Sequence, residues 1–266
     1  MRLTYFPIAL VSLWAFAAIF GSFFPLQPDA IELTKILHTP EANSWLGYDD
    51  LGRPIWDRLI MGAQTSFIVA IWVSLISIVI GTFIGCASAY FGGWLDLLVV
   101  RIIDVFLAVP GILLAIAFAG IMGPGIENVV IALSIVGWVG YARLSRAQVL
   151  ALKHRDHVQA AVSLGSGNFR IIVKHLLPLI SAPLIVEATF GVASVVIAEA
   201  GLSFLGLGVQ PPDASWGSMI RDGTAYMLVA PHMVIAPGLA MMLIVLSVNL
   251  LGDKLRDKLD VKLKTS

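Results

Sequence analysis

Six stretches of about twenty largely apolar residues limit what this chain can fold into. Lipid offers a backbone no hydrogen-bond partners, so a segment crossing about 30 Å of hydrocarbon must close its own bonds as a helix of ~20 residues. Stretches meeting that demand run over 5–24, 66–91, 102–122, 127–147, 176–199 and 230–252. Composition agrees: the chain is 58% apolar and 13% charged, with a mean hydropathy of +0.91. Soluble domains carry about 25% charged residues. The expected fold is all-α, a polytopic membrane protein with six transmembrane helices in a lipid bilayer. The first stretch is long for a signal peptide and no small-x-small cleavage site follows it, so it reads as an uncleaved anchor.

Positive charge orients such a protein, because Lys and Arg are retained on the cytoplasmic side. With both termini cytoplasmic, Arg2, Arg101, Arg143, Arg146, Lys153, Arg155, Arg170, Lys174 and the tail residues Lys254, Arg256, Lys258, Lys262 and Lys264 lie inside. Only Lys35, Arg53, Arg58 and Arg221 of the 17 basic residues fall outside. The formal net charge is zero, which argues against a nucleic-acid partner. Cys86 is the single cysteine and reads as core packing. The five histidines show no metal-ligand spacing, and no metal or other cofactor is expected.

Three segments follow from these spans. Residues 1–63 hold the anchor and an external stretch, 64–252 the remaining five spans, and 253–266 a cytoplasmic tail. Within the external stretch, Ile55, Trp56, Leu59 and Ile60 recur at helical spacing. They suggest a helix lying at the membrane interface before the second span, or a solvated connector.

The loop over 150–178 carries the densest information. Residues from about His154 to Leu164 can form a short helix that Gly165 ends, since glycine takes the left-handed conformation without penalty. Asn168 can cap a second helix leading to Pro178. The pair makes a compact knob, with Ala160 and Ala161 giving it a flat face. A docking surface and an ordinary amphipathic loop both fit these residues.

The order Gln159-Ala160-Ala161, three residues, Gly165, nine residues, His175, one residue, Leu177-Pro178 resembles the EAA loop of ABC-importer permeases. Gln159 stands where the family has glutamate, and His175 where it has an aliphatic residue. Three further stretches resemble permeases of dipeptide, oligopeptide and nickel importers, and among these the second permease of the pair. They are Trp45-Leu46-Gly47-Tyr48-Asp49-Asp50-Leu51-Gly52-Arg53, Glu199 to Pro212 with Ser215-Trp216-Gly217, and Asn249 to Asp257. The resemblance implies the type I ABC-importer permease fold in the cell inner membrane, with the loop acting as coupling helices that dock on an ATPase. It also implies four partners: a second homologous permease, two cytoplasmic ATP-binding subunits and an extracytoplasmic substrate-binding protein. Gln159, Ala160, Ala161, Gly165, Leu177 and Pro178 are then the coupling residues. Peptides are the leading cargo; nickel or another small solute is the alternative.

Asp104, Glu187 and Glu199 fall within or at the ends of spans. A carboxylate at the bilayer centre costs at least ~2.5 kcal/mol, so each must face water or protein. A pore or gating role and a carboxylate bonded to a neighbouring helix both remain open for them. Trp216 lies in a loop, 201–223, that is expected to be partly re-entrant near the pore mouth; sealing the outer face is the alternative. No phosphate-binding GxxxxGK[ST] motif occurs, so energy must come from another subunit. Nor does a Gly-x-Ser-x-Gly elbow or His-Glu-x-x-His motif, and no catalytic residue is expected. An ion-driven secondary transporter is the main rival, but no internal repeat is visible.

Overall fold

The computed structural model describes residues 5–41 and 44–264, with side chains up to Leu259. Arg2 and the side chains of Lys262 and Lys264 lie outside the described residues. Every long element is a helix: α1 (Tyr5–Phe20), α2 (Ile55–Phe91), α3 (Gly93–Leu107), α4 (Gly111–Met122), α5 (Ile126–Leu152), α6 (Asp156–Ser163), α7 (Asn168–Ile171), α8 (Leu177–Phe204), α9 (Trp216–Thr224) and α10 (His232–Lys264). Five rods are long and apolar enough to cross a membrane, and α3 with α4 makes a sixth if that bent pair is one span.

The centre of the molecule is the packing of α2 along α5. It depends on glycine, because without a driving force from water, helices in lipid associate by close backbone approach. Gly81 and Gly85 sit one turn apart on α2. A Cβ on Gly81 would press on the carbonyl of Trp138 and the Cβ of Tyr141, and one on Gly85 on Ala142 and Ser145. Gly137 returns the favour from α5, lying against the Ser77 side chain. Against this pair pack α8 on one side and α4 on another, with Val69, Val73, Ala115, Ala119, Val129 and Leu202 forming a buried cluster. Helix α1 joins α2 and α10 through Trp14, whose indole N–H donates to the Ala63 carbonyl (3.1 Å).

Four expectations change. The amphipathic helix and the second span are one rod of 37 residues, Ile55–Phe91, because nothing between Ile55 and Ser66 breaks the helix. The third span is broken: Pro110, which lacks an N–H, ends α3 at Leu107, and α4 departs at 87°. The second loop helix and the fifth span also fuse, α7 passing through a π turn (Ile172–Leu176) into α8, so the rod runs over Asn168–Phe204. Pro178 follows directly on that π turn, where the regular i→i−4 ladder is already interrupted, so its missing N–H is accommodated within the rod. Finally, the boundaries expected at 63 and 252 fall inside α2 and α10.

Candidate coupling and translocation sites

The elbow between α5 and α8 is built locally and held firmly. α6 ends in a Schellman motif: Ser166 N–H donates to the Ala161 carbonyl (3.0 Å) and Gly165 N–H to that of Val162 (2.9 Å). Gly165 is left-handed at φ +78°, as its expected role as helix stop requires. The N-cap of α7 is Gly167 rather than Asn168, whose side chain instead accepts from the Tyr90 hydroxyl (3.1 Å). Val158, Ile171, Leu176 and Ile180 are buried together with Val149, Cys86 and Ala89, gluing the elbow to the ends of α2 and α5.

Polar bonds reinforce that seam. Lys153 Nζ donates to the Ala89 carbonyl (2.8 Å). Asp96, at the start of α3, takes a bidentate pair from Arg146 (2.6 and 2.7 Å) and a third bond from Ser88 Oγ (2.6 Å). Gln159 Nε2 donates to the Lys153 carbonyl (3.0 Å) and so caps the end of α5. A glutamate has no donor for that bond.

The elbow's outward face is not the one expected from the sequence. Gln159, Ala160 and Pro178 are exposed and Leu177 is half-buried, but Ala161 turns into the chain's own core. The paired alanines therefore do not share one flat outer face, since neighbouring helical positions point about 100° apart. What stands out is apolar: Leu164 is 86% exposed and Phe169 73%, with Val162 beside them. Sequence reading missed these two. Their signal was an apolar residue on each side of a helix-stop glycine, where a solvated turn would carry polar ones.

At the opposite end, polar residues are buried and satisfied. Glu199 is 1% exposed and accepts from Ser66 Oγ (3.0 Å) and Ser203 Oγ (2.7 Å). Trp216 is 3% exposed, donates its indole N–H to the Leu59 carbonyl (3.1 Å) and packs on Trp14. Ser215 and Ser218 close a reciprocal capping box at the start of α9. Pore lining, one of the two roles open for Glu199 and Trp216, does not suit side chains this deep; the bonded alternative describes Glu199. The loop is shorter than expected, because α8 runs on to Phe204.

The Trp45–Arg53 stretch proves to be a clasp for this end. The Asp49 carboxylate accepts from the backbone N–H groups of Leu51 (2.9 Å) and Arg53 (2.8 Å) and from Arg53 Nε (2.7 Å). Arg58, 3.5 Å from the same carboxylate, donates to the carbonyls of Pro28 and Pro212, tying the 25–54 segment to the 205–215 loop. Burial, with the Asp49 charge beside it, pushes the Asp50 carboxyl above its ordinary range.

Between the two ends, Glu187 is exposed midway along α8 and Asp104 is exposed on α3, 3.9 Å from Arg101. Among the described residues no group of three or more metal-ligating side chains occurs.

A bundle of membrane-length helices with a capped elbow at one end and a sealed loop at the other defines a polytopic transport subunit. The sequence profile of the "binding-protein-dependent transport system inner membrane component" family matches residues 77–264, and the chain belongs to that family. It is a non-catalytic, multi-pass inner-membrane permease. The glutathione transport system permease protein GsiD of Pectobacterium atrosepticum is 44% identical over 226 residues, covering 85% of this chain and 75% of its own length. The dipeptide transport system permease protein DppC of Alkalihalophilus pseudofirmus is 42% identical over 229 residues, covering 86% and 75%. A chain from the inward-facing MetNI methionine ABC transporter superposes with a TM-score of 0.64 at 18% identity, covering 77% of this chain and 97% of that one. That last likeness confirms the expected fold.

Proposed function

We propose that this chain forms half of the translocation pore of an ATP-driven importer of short peptides, glutathione included. It pairs with a second, homologous permease, receives substrate from an extracytoplasmic binding protein and is driven by two cytoplasmic ATP-binding subunits. The distribution of Lys and Arg supports placing both termini and the elbow in the cytoplasm. The GsiD and DppC relatives support the cargo class.

The observation that carries the coupling is the exposed pair Leu164 and Phe169 on a rigid, capped elbow. Burying one such side chain contributes about 1.5–3 kcal/mol, and a stiff mount passes force without bending. Gln159, Ala160, Gly165, Leu177 and Pro178 shape or flank that contact, while Ala161 supports it from inside. In this account ATP draws the two ATPases together, the elbows follow, and α5 and α8 tilt with them, while the Asp96–Arg146 and Lys153–Ala89 bonds join α5 to α3 and α2.

The test is uptake by the complete importer in proteoliposomes. Dipeptide and glutathione should accumulate when ATP is supplied to the elbow side, and a collapsed proton gradient should change nothing. Uptake that needs the gradient and ignores ATP would overturn the reading, and accumulation of nickel with no peptide would overturn the cargo.

A further inference from the structure

Resting on that reading of the chain as a peptide-importer permease, we propose that Glu187 is a mid-membrane waypoint that receives the ammonium group of the passing substrate.

Three independent features meet at one depth. The first is the charge itself. Glu187 lies ten residues from the start of α8, is exposed, and is in none of the ion pairs within 4 Å among the described residues. A bare carboxylate facing acyl chains costs at least ~2.5 kcal/mol, so this face of α8 looks onto water or a polar partner. Arg143, exposed and one turn inward on α5 from Gly140, does not neutralise it within that distance.

The second is the broken helix. Residues 107–111, between α3 and α4, are exposed; the Ala108 N–H takes up the Asp104 and Val105 carbonyls, whereas Pro110 has no N–H to offer that of Phe106. Irregular backbone is tolerated inside a membrane only where it lines a water-filled cavity or is covered by protein. The break lies against Gly140, near the middle of the 27-residue α5. A cavity of about 250 Å³ sits in the bend, walled by Phe106, Val109, Pro110, Val136 and Gly140.

The third feature joins them. Gly140, a wall of that cavity, is also the residue beneath Glu187: a Cβ there would stand 3.7 Å from Glu187 Oε1. One turn along α8, Gly191 receives the buried hydroxyl of Tyr141, which has no hydrogen-bond partner. The carboxylate and the broken backbone thus adjoin across Gly140 at the middle of α5, with the Tyr141 hydroxyl buried beside them. A carboxylate next to an open backbone carbonyl favours a cationic donor. An ammonium group fits because it brings three N–H donors to a carboxylate and carbonyls, and every peptide with a free amino end carries one.

The experiment uses the complete importer in proteoliposomes with L-alanyl-L-alanine as cargo, comparing wild type, Glu187→Gln and Glu187→Asp. Losing one charge-assisted bond predicts about tenfold less dipeptide moved per ATP in Glu187→Gln. Glu187→Asp, which keeps the charge, should recover most of it, and binding-protein-stimulated ATP hydrolysis reports whether each complex is assembled. A Gln variant that moves dipeptide as fast as wild type would overturn the waypoint alone. Equal losses in Gln and Asp would also overturn it, because they indicate a shape requirement. A wild-type complex that moves no dipeptide would bring down the peptide reading and the waypoint together.

Discussion

Trp216 and Glu199 at the loop end are buried, and Ser66, Ser203, Ser215 and Ser218 around them all have hydrogen-bond partners. At the elbow end the backbone is as well capped, yet Leu164 and Phe169 stand in the open. The cluster around Glu199 and Trp216 is finished by its own residues, whereas Leu164 and Phe169 are finished only when something covers them. Rigidity is common to both; self-sufficiency is not. A part that seals can satisfy itself, whereas a part that takes up force needs an unsatisfied surface on a stiff mount.

The sharpest way to break that contrast is Leu164→Asp. Chain insertion and thermal stability should be close to wild type, while ATP-driven uptake should fall at least tenfold, since the apolar contact of a buried leucine, about 1.5–3 kcal/mol, is replaced by a buried charge. Uptake assays beside a thermal unfolding curve check both halves. The reverse pattern is expected at the other end. Glu199→Ala leaves Ser66 and Ser203 without their acceptor and should cost about 2–4 kcal/mol of stability, read as a lower unfolding midpoint of the purified complex. Asp96→Asn weakens the bidentate bond to Arg146 and should cost roughly 1–2 kcal/mol, with looser coupling between ATP hydrolysed and substrate moved.

Gln159→Glu restores the residue the resembled family carries, yet here it removes the donor to the Lys153 carbonyl. It should lower stability by about 0.5–1.5 kcal/mol. Smallest of all is Asp50→Asn. Because the folded-state pKa of Asp50 is raised, the wild type loses stability as pH rises through that value. The asparagine variant should unfold slightly later than wild type at pH 7, with the gap closing as pH falls below about 3, where the carboxyl is protonated in both states.

Much of this was legible in the sequence because hydropathy and helix punctuation act over short distances. The spans, the Gly165 stop and the elbow all follow from residues near one another in the chain. Contacts between distant segments were not legible. Nothing local to Ala161 says that it is buried within the chain, and so the flat-face expectation failed. The bend at Pro110 was missed because an apolar run continues on both sides and masks the break. The Gly81–Gly85 seam was likewise invisible without knowing that α5 lies against it. Only one of the two Glu199 partners was legible: Ser203 is one turn along α8, but Ser66 is 133 residues away. The loss of a separate interface helix has a simpler cause: residues 55–66 contain no proline and the lone Gly62 does not break the helix, so two periodic segments merged into one rod.

The most direct measurement places a photo-crosslinking amino acid at position 164 of this chain in the assembled importer. The account predicts a covalent adduct with the ATP-hydrolysing subunit, in a yield that changes between nucleotide-free and ATP-bound states. Adducts only with lipid, or labelling of position 164 by a membrane-impermeant reagent added outside intact cells, would contradict it.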